Sequence, residues 1–259
     1  MSTVIYSSPI FGPVHSRRLG VSLGINLMPC DGKVCTFDCI YCECGLNADH
    51  RPHTKRPSRE MVREALEARL QSMAKEGPRP DVLTFAGNGE PTTHPQFAEI
   101  IGDTIALRDR YFPEAHISVL SNATMVVRQE VHDALMRVDN NIQKLDTVDL
   151  DFIHRVDRPT GHYDLDAIIE RLTAFHGHVI IQTMFLAGTD AEGVDITNIS
   201  DRYVCPWLEV LQHIRPEKVM IYTIDRETPV ASLQKATPAE LDGIAERVRA
   251  LGLECSVAY

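Results

Sequence analysis

Alternation between strand-like and helix-like segments constrains this chain more than any other feature. Short runs rich in β-branched and apolar residues fall at 21–27, 81–86, 116–120, 142–145, 178–184 and 218–224. Between them, segments 58–74, 96–110, 127–136, 165–175 and 200–214 read as helices from the spacing of their apolar residues. A last helix opens at Thr237-Pro238-Ala239-Glu240 and runs to Leu251. Its threonine caps, its proline suits the first turn, and Glu240 completes a capping box. Residues 256–258 read as a final edge strand. Six strand–helix periods of about 40 residues each predict an α/β fold with a parallel sheet and right-handed crossovers. Six units are too few for the eight-unit barrel. An open, partial (β/α)6 barrel fits, and so does a doubly wound sheet. In either, the site lies at the C-terminal ends of the strands. No linker interrupts the pattern, so 1–259 reads as a single domain with a cysteine-rich loop at about 28–57.

Charge narrows the partners. The formal net charge of -10 argues against a surface coated for non-specific nucleic-acid binding. The segment through Arg63, however, carries eight basic residues against five acidic ones, a net of +3, which leaves -13 for the rest. A solvated loop followed by an exposed helix face is one reading of that segment. A patch of Arg51, Lys55, Arg56 and Arg59 that receives an anionic substrate is the other. No apolar run reaches the roughly 18 residues of a membrane span. Residues 1–12 lack the basic start and apolar stretch of a signal peptide. Together these predict a cytoplasmic protein with no membrane partner, whose seven cysteines do not form a disulfide framework.

The chemistry concentrates in Cys35-Thr-Phe-Asp-Cys39-Ile-Tyr41-Cys42, in the loop after the first strand. Soft thiolates suit an iron–sulfur cluster. Three protein ligands on a four-iron cluster leave one iron open to a substrate or cofactor. The alternative is a zinc knot with Cys30 or Cys44 as fourth ligand, although structural zinc sites favour paired cysteines separated by a longer loop. Cys205 and Cys255 stand alone and read as buried core thiols. A second cluster would require Cys30, Cys44, Cys205 and Cys255 to meet in the fold. His50 and His53 do not form a metal-binding pattern with the other histidines.

A second motif, Phe85-Ala-Gly87-Asn88-Gly89-Glu90-Pro91, closes the second strand. Its glycines allow the backbone to approach a ligand closely. Glu90 is a candidate acceptor for a ligand ammonium; a tight turn with an exposed acid is the plainer reading. Arg226, after the sixth strand, is a candidate for a substrate anion.

The Cys-x3-Cys-x2-Cys run with Tyr41 before its last cysteine resembles the signature of the radical S-adenosylmethionine (SAM) superfamily. Asn88-Gly89-Glu90-Pro91 resembles that superfamily's Gly-Gly-Glu-Pro motif, with Asn88 departing from the first glycine. The lead-in Phe11-Gly-Pro-Val-His-Ser-Arg-Arg-Leu-Gly20, the Gly-Asn-Gly-Glu-Pro-Thr form of the second motif and Tyr222-Thr-Ile-Asp-Arg226 are similar to a narrower group. That group comprises iron–sulfur oxidoreductases related to the wyosine-base-forming enzymes of transfer RNA.

The resemblance implies a partial (β/α)6 barrel of radical SAM type. It implies that Cys35, Cys39 and Cys42 ligate three irons of a [4Fe-4S] cluster, and that SAM chelates the fourth. Tyr41 would lie near the adenine, and Gly89 and Glu90, flanked by Asn88 and Pro91, would hold the SAM amino group. Ser121 and Asn122 are candidates for the SAM carboxylate or ribose; Lys144, Asp146 and Gln182 are further candidates. The implied reaction is reductive cleavage of SAM to methionine and a 5′-deoxyadenosyl radical that abstracts hydrogen from a substrate. A carrier such as flavodoxin or ferredoxin would donate the electron. An RNA base or nucleotide is the leading substrate class. A glycyl-radical-enzyme activase, acting on a protein, and a zinc-stabilised binding module without catalysis are the alternatives.

Overall fold

The computed structural model describes residues 4–16 and 20–259. Arg17 and Arg18, counted above in the basic segment, and Leu19 of the lead-in motif lie outside the described residues. In chain order the elements are β1 (Ile10–Ser16), β2 (Gly20–Ile25), α1 (Arg59–Glu76), β3 (Val82–Phe85), α2 (Phe97–Tyr111), β4 (His116–Ser121), α3 (Gln129–Leu135) and β5 (Asn140–Lys144). They continue with α4 (Leu150–Phe152), α5 (Leu165–Thr173), β6 (Ile180–Met184), β7 (Leu186–Gly188), α6 (Asp201–Ile214), β8 (Lys218–Tyr222), β9 (Leu233–Lys235), α7 (Pro238–Ala250) and β10 (Glu254–Ala258).

Eight strands form one sheet in the order β1-β2-β3-β4-β5-β6-β8-β10, parallel throughout except for the antiparallel pair β1–β2. This order decides between the two architectures the alternation allows. A doubly wound sheet reverses its strand order at a switch point. Here each unit is added on the same side, which is the winding of an open barrel. The curl shows in the cavity that the sheet encloses: Gly24 of β2, Leu120 of β4, Gln182 of β6 and Ala258 of β10 all line it.

Side-chain alternation drives the layering. Leu23, Ile25, Leu83, Phe85, Ile117 and Val119 point outward and pack under α1 and α2 on Leu66, Leu70, Ile100 and Ile101. Each such buried side chain contributes roughly 1.5–3 kcal/mol. The intervening residues Ser22, Gly24 and Thr84 face the lumen and are small, which leaves room inside. Among the described residues no helix is long and apolar enough to cross a membrane.

The helix starts follow their capping chemistry. Ser58 caps α1, its side chain accepting from the Met61 amide at 3.3 Å. At α7 the capping box is complete: Thr237 Oγ1 accepts from the Glu240 amide (3.3 Å), and Glu240 Oε2 accepts from the Thr237 amide (2.7 Å). Thr237→Ala should therefore cost about 1 kcal/mol and lower the melting temperature by roughly 2–4 °C. Calorimetry showing an unchanged melting temperature would remove the cap from the stability of this helix.

Three features depart from the sequence reading. β1 precedes the first expected strand; its Gly12-Pro13 interrupts the alternation, and the pairing register shifts between Phe11 and Val14. Proline confines such a run to a sheet edge. Residues 150–157 form a short turn, α4, continued by a π-helical turn over Ile153–Asp157. β7 and β9 make a separate antiparallel ribbon above the barrel.

Candidate cluster and cofactor site

The cysteine loop has little regular structure of its own and is held from two sides. On one side Val34 pairs with the second motif: the Val34 amide donates to the Asn88 carbonyl (2.9 Å), and the Glu90 amide donates to the Val34 carbonyl (3.1 Å). On the other side the π-helical turn receives it, with the Asp38 amide on the Asp157 carbonyl and the Ile40 amide on the Val156 carbonyl, both 3.0 Å. The two motifs are therefore one assembly, and the π turn is its third wall. π-helical insertions of this kind recur at functional sites.

The second motif is shaped by this docking. Gly89 has φ +132°, and a Cβ there would lie 1.9 Å from the Val34 carbonyl oxygen. Gly87 has φ +130°, and its Cβ would meet Asn26 at 2.7 Å. Only glycine permits both. Asn88, where the motif it resembles has glycine, is fully buried and pins the N-terminal segment. Its Oδ1 accepts from the Tyr6 amide (2.8 Å), and its Nδ2 donates to the carbonyls of Tyr6 (2.9 Å) and Pro29 (2.8 Å). Pro91 opens a short 3-10 turn.

Glu90 is not an exposed acid; it is 2% exposed. Its Oε1 accepts from the Thr92 amide (3.0 Å) and hydroxyl (2.5 Å), and its Oε2 accepts from the Asn122 amide (2.6 Å). Ser121 also hydrogen-bonds it. Four donors fill the lone-pair sites a carboxylate offers. Burial pushes its pKa up against those hydrogen bonds. Glu90 thus ties the end of β4 to the second motif. Asn122 in turn reaches the cysteine loop, its Nδ2 lying 2.9 Å from Thr36 Oγ1 and 3.6 Å from Cys35 Sγ.

Cys35 and Cys42 are partly exposed, and Cys39 is buried at 8%. Cys39 Sγ lies 3.6 Å from Asp157 Oδ1 and 4.0 Å from Lys144 Nζ. Burial pushes the Cys35 and Cys39 thiols up. The Cys42 thiol is pushed down by a hydrogen bond from Cys44, with Lys33 also lowering it. Beside Cys39 sits a buried polar knot. Tyr41 Oη bonds Asp146, Lys144 and Asp157, the last at 3.1 Å. Lys144 Nζ stands 3.2 Å from Asp146 Oδ2, 3.7 Å from Asp157 Oδ1 and 4.5 Å from the Tyr41 ring centre. Burial and Asp146 push Asp157 up, while its charged partners hold Lys144 protonated against burial.

The structure thus gathers Tyr41, Asn88, Gly89, Glu90, Pro91, Ser121, Asn122, Lys144 and Asp146 around the three cysteines. Gln182 stands apart on β6, in the wall of the lumen. Two residues the sequence reading missed belong here: Lys33 and Asp157. Lys33 stands two residues before the first cysteine, a position open to notice. Asp157 lies in a segment without helix or strand periodicity and gave no signal.

The lumen itself is a cavity of about 590 Å³ that reaches Tyr41 and Cys42. Its strand-borne lining includes Ser22, Thr84, Gln182, Met184 and Met220. Carboxylates and guanidinium enter only from loops, as Glu43, Asp225 and Arg226. Arg226 pairs with Glu43 across the mouth at 2.9 Å. The expected basic patch is partly consumed: Arg56 donates to the Thr93 carbonyl (2.7 Å), and Arg59 forks onto Asp103 at 2.6 and 2.8 Å. Arg51 and Lys55 are exposed. None of the four lines the lumen.

The donor set fits iron–sulfur ligation: three soft thiols stand on one loop. A structural zinc ion would need a fourth donor beside them. Cys44 Sγ faces the Gly87 carbonyl at 3.4 Å and the Cys42 thiol. Cys30 is exposed. A four-iron cluster spreads its irons, so its three thiolates need not meet. Its positive core also compensates thiolates that burial otherwise disfavours. Cys255 is buried as expected, but Cys205 is exposed on α6, with Arg247 Nη2 3.1 Å from its sulfur.

Comparisons with known proteins bear on the fold and the family. A UPF0026 protein of Methanocaldococcus jannaschii is 31% identical over 218 residues, which are 82% of this chain and 62% of that protein. A radical SAM methyltransferase from Sphaerobacter thermophilus has a similar structure, with TM-score 0.66 at 15% identity over 92% of this chain and 66% of that one. Streptococcus suis SuiB bound to S-adenosylmethionine gives a TM-score of 0.62 at 14% identity, over 91% of this chain and 50% of that one. At these identities the structural likeness establishes the fold. The model of the Radical SAM superfamily matches residues 31–197, more than half of the sequence, and the chain belongs to that superfamily.

Proposed function

We propose that this chain cleaves SAM reductively at a [4Fe-4S] cluster held by Cys35, Cys39 and Cys42, and directs the resulting radical at a nucleic-acid base or nucleotide in the lumen. The observation that carries the reading is the single loop that binds three thiols beside the barrel cavity, with Cys42 and Tyr41 at its wall. When bound, the cluster supplies one electron for breaking the carbon–sulfur bond of SAM, giving methionine and a 5′-deoxyadenosyl radical that abstracts hydrogen. The rest falls to the chain's own residues. Tyr41 is immobilised by Lys144, Asp146 and Asp157, which makes its ring a fixed wall for an adenine. Gly87 and Gly89 let the second motif pack against Asn26 and the Val34 carbonyl, which seats the cysteine loop. The curled sheet limits the access of water to a radical, a recognised task of such sites.

The substrate class is supported by the lining. Ser22, Thr84 and Gln182 offer hydroxyl and amide groups without charge, which suits a neutral base. Arg226, at the mouth, suits a phosphate that takes the place of its Glu43 partner. A small one-electron carrier such as flavodoxin or ferredoxin would serve as donor. That SuiB binds SAM on a similar fold adds support.

Anaerobic protein incubated with SAM and dithionite should yield 5′-deoxyadenosine, be brown, and contain about four irons per chain, one [4Fe-4S] cluster. Retained transfer RNA would support the substrate class, whereas copurification of a large protein partner would replace it with an activase. A colourless protein carrying one zinc, with no 5′-deoxyadenosine, would end the proposal.

A further inference from the structure

Lysine is almost never fully buried unless paired, yet Lys33 is 3% exposed. Its Nζ donates at 2.7 Å to the carbonyl of Gly45, whose own amide bonds the Cys42 carbonyl, and lies 3.7 Å from Asp38 Oδ1. The backbone carbonyl fixes the ammonium on the side of the loop that carries the thiols. Its charge acts on Cys42, Cys35 and Cys39 together. Asp38 compensates it incompletely: that carboxylate is the more exposed partner and also accepts from the Asn47 amide at 2.7 Å. The second cation of the site, Lys144, is by contrast enclosed between Asp146 and Asp157.

A cluster on three thiolates becomes more negative by one charge when it takes up an electron. A fixed positive charge in a region of low dielectric favours that uptake. Neither the fold nor thiol ligation explains a buried ammonium here, since an apolar side chain would fill the same space at less desolvation cost. We infer that Lys33 tunes the reduction of the cluster: its buried ammonium, anchored on the Gly45 carbonyl beside Cys42, favours the one-electron-reduced state and sets how strong a donor is needed to load the site. The electron comes from the low-potential one-electron carrier, which is oxidised as the cluster is reduced. This rests on the [4Fe-4S] reading given above.

The test is an anaerobic redox titration followed by electron paramagnetic resonance, on reconstituted wild type, Lys33→Met, Lys33→Arg and Asp38→Asn, without SAM. Lys33→Met should lower the equilibrium constant for reduction at least tenfold, a midpoint about 59 mV more negative for one electron. Lys33→Arg should stay near wild type. Asp38→Asn removes the opposing charge and should move the midpoint upward. A fully loaded Lys33→Met with an unmoved or raised midpoint overturns the inference. Where Lys33→Met loses its iron, Asp38→Asn decides: a rise supports the role of the buried charge, and no rise overturns it. Wild type that takes up no four-iron cluster overturns the functional reading itself, and Lys33's role with it.

Discussion

Cys39→Ala should abolish 5′-deoxyadenosine formation and strip most of the iron while leaving the apo fold intact. Cys39 is the deepest of the three thiols, at 8% exposure, set between Asp157 Oδ1 at 3.6 Å and Lys144 Nζ at 4.0 Å. Its removal leaves two protein sulfurs for the proposed cluster. Outer partners of metal ligands alone are worth roughly 10–100-fold in metal affinity, so loss of a ligand should exceed about 100-fold. The fold should survive because Lys144, Asp157, Asp146 and Tyr41 continue to satisfy one another once the sulfur is gone. Cys255→Ala is the control. It is equally buried, at 8%, but belongs to the core cluster under β10. Iron analysis and product detection on both variants settle the point. If Cys39→Ala retains wild-type iron and product, the three-cysteine site is not the cluster site.

How much of this was legible in the sequence depends on how far apart the cooperating residues lie. The strand–helix periods are legible in the first strands because the outward-facing residues are large and apolar while their lumen-facing neighbours are small or polar, as in Ser22, Leu23, Gly24 and Ile25. Periodicity alone does not separate the barrel from a doubly wound sheet, because it carries no information about the side on which each strand is added; the motif resemblance is what points to the barrel. Glu90 reads in the sequence either as an acceptor for a ligand ammonium or as an exposed acid at a turn. Its burial comes from the Asn122 amide, 32 residues away, closing over it. Arg56 and Arg59 read as half of an anion-facing patch. Arg59 is instead spent on Asp103, 44 residues further on. A lone Lys33 in a polar loop reads as solvated until the Gly45 carbonyl folds back across it. Cys205 shows the limit of the rule that free cysteines are buried, since one residue type says nothing of which helix face it occupies.

Gly89→Ala is the second large effect, and it acts through the backbone rather than through ligation. A φ of +132° is essentially closed to residues with a Cβ. Holding alanine there costs about 1–3 kcal/mol in conformational strain alone. The contact compounds it: the added carbon would sit 1.9 Å from the Val34 carbonyl oxygen, a backbone atom that no rotamer change can move aside. Relief requires displacing Val34, and Cys35 is the next residue. The variant should therefore lose roughly 2–12 °C in melting temperature, and lose iron as well. Gly161→Ala, where nothing lies within 4 Å of the new carbon, should change neither. The contrast with Cys39→Ala gives the argument its force. Removing a ligand should cost iron without costing the apo protein its stability, whereas displacing the loop segment that presents Cys35 should cost both. Gly89→Ala that melts within about 1 °C of wild type, against the strain expected, and keeps its iron would mean that the second motif does not hold the cysteine loop in place.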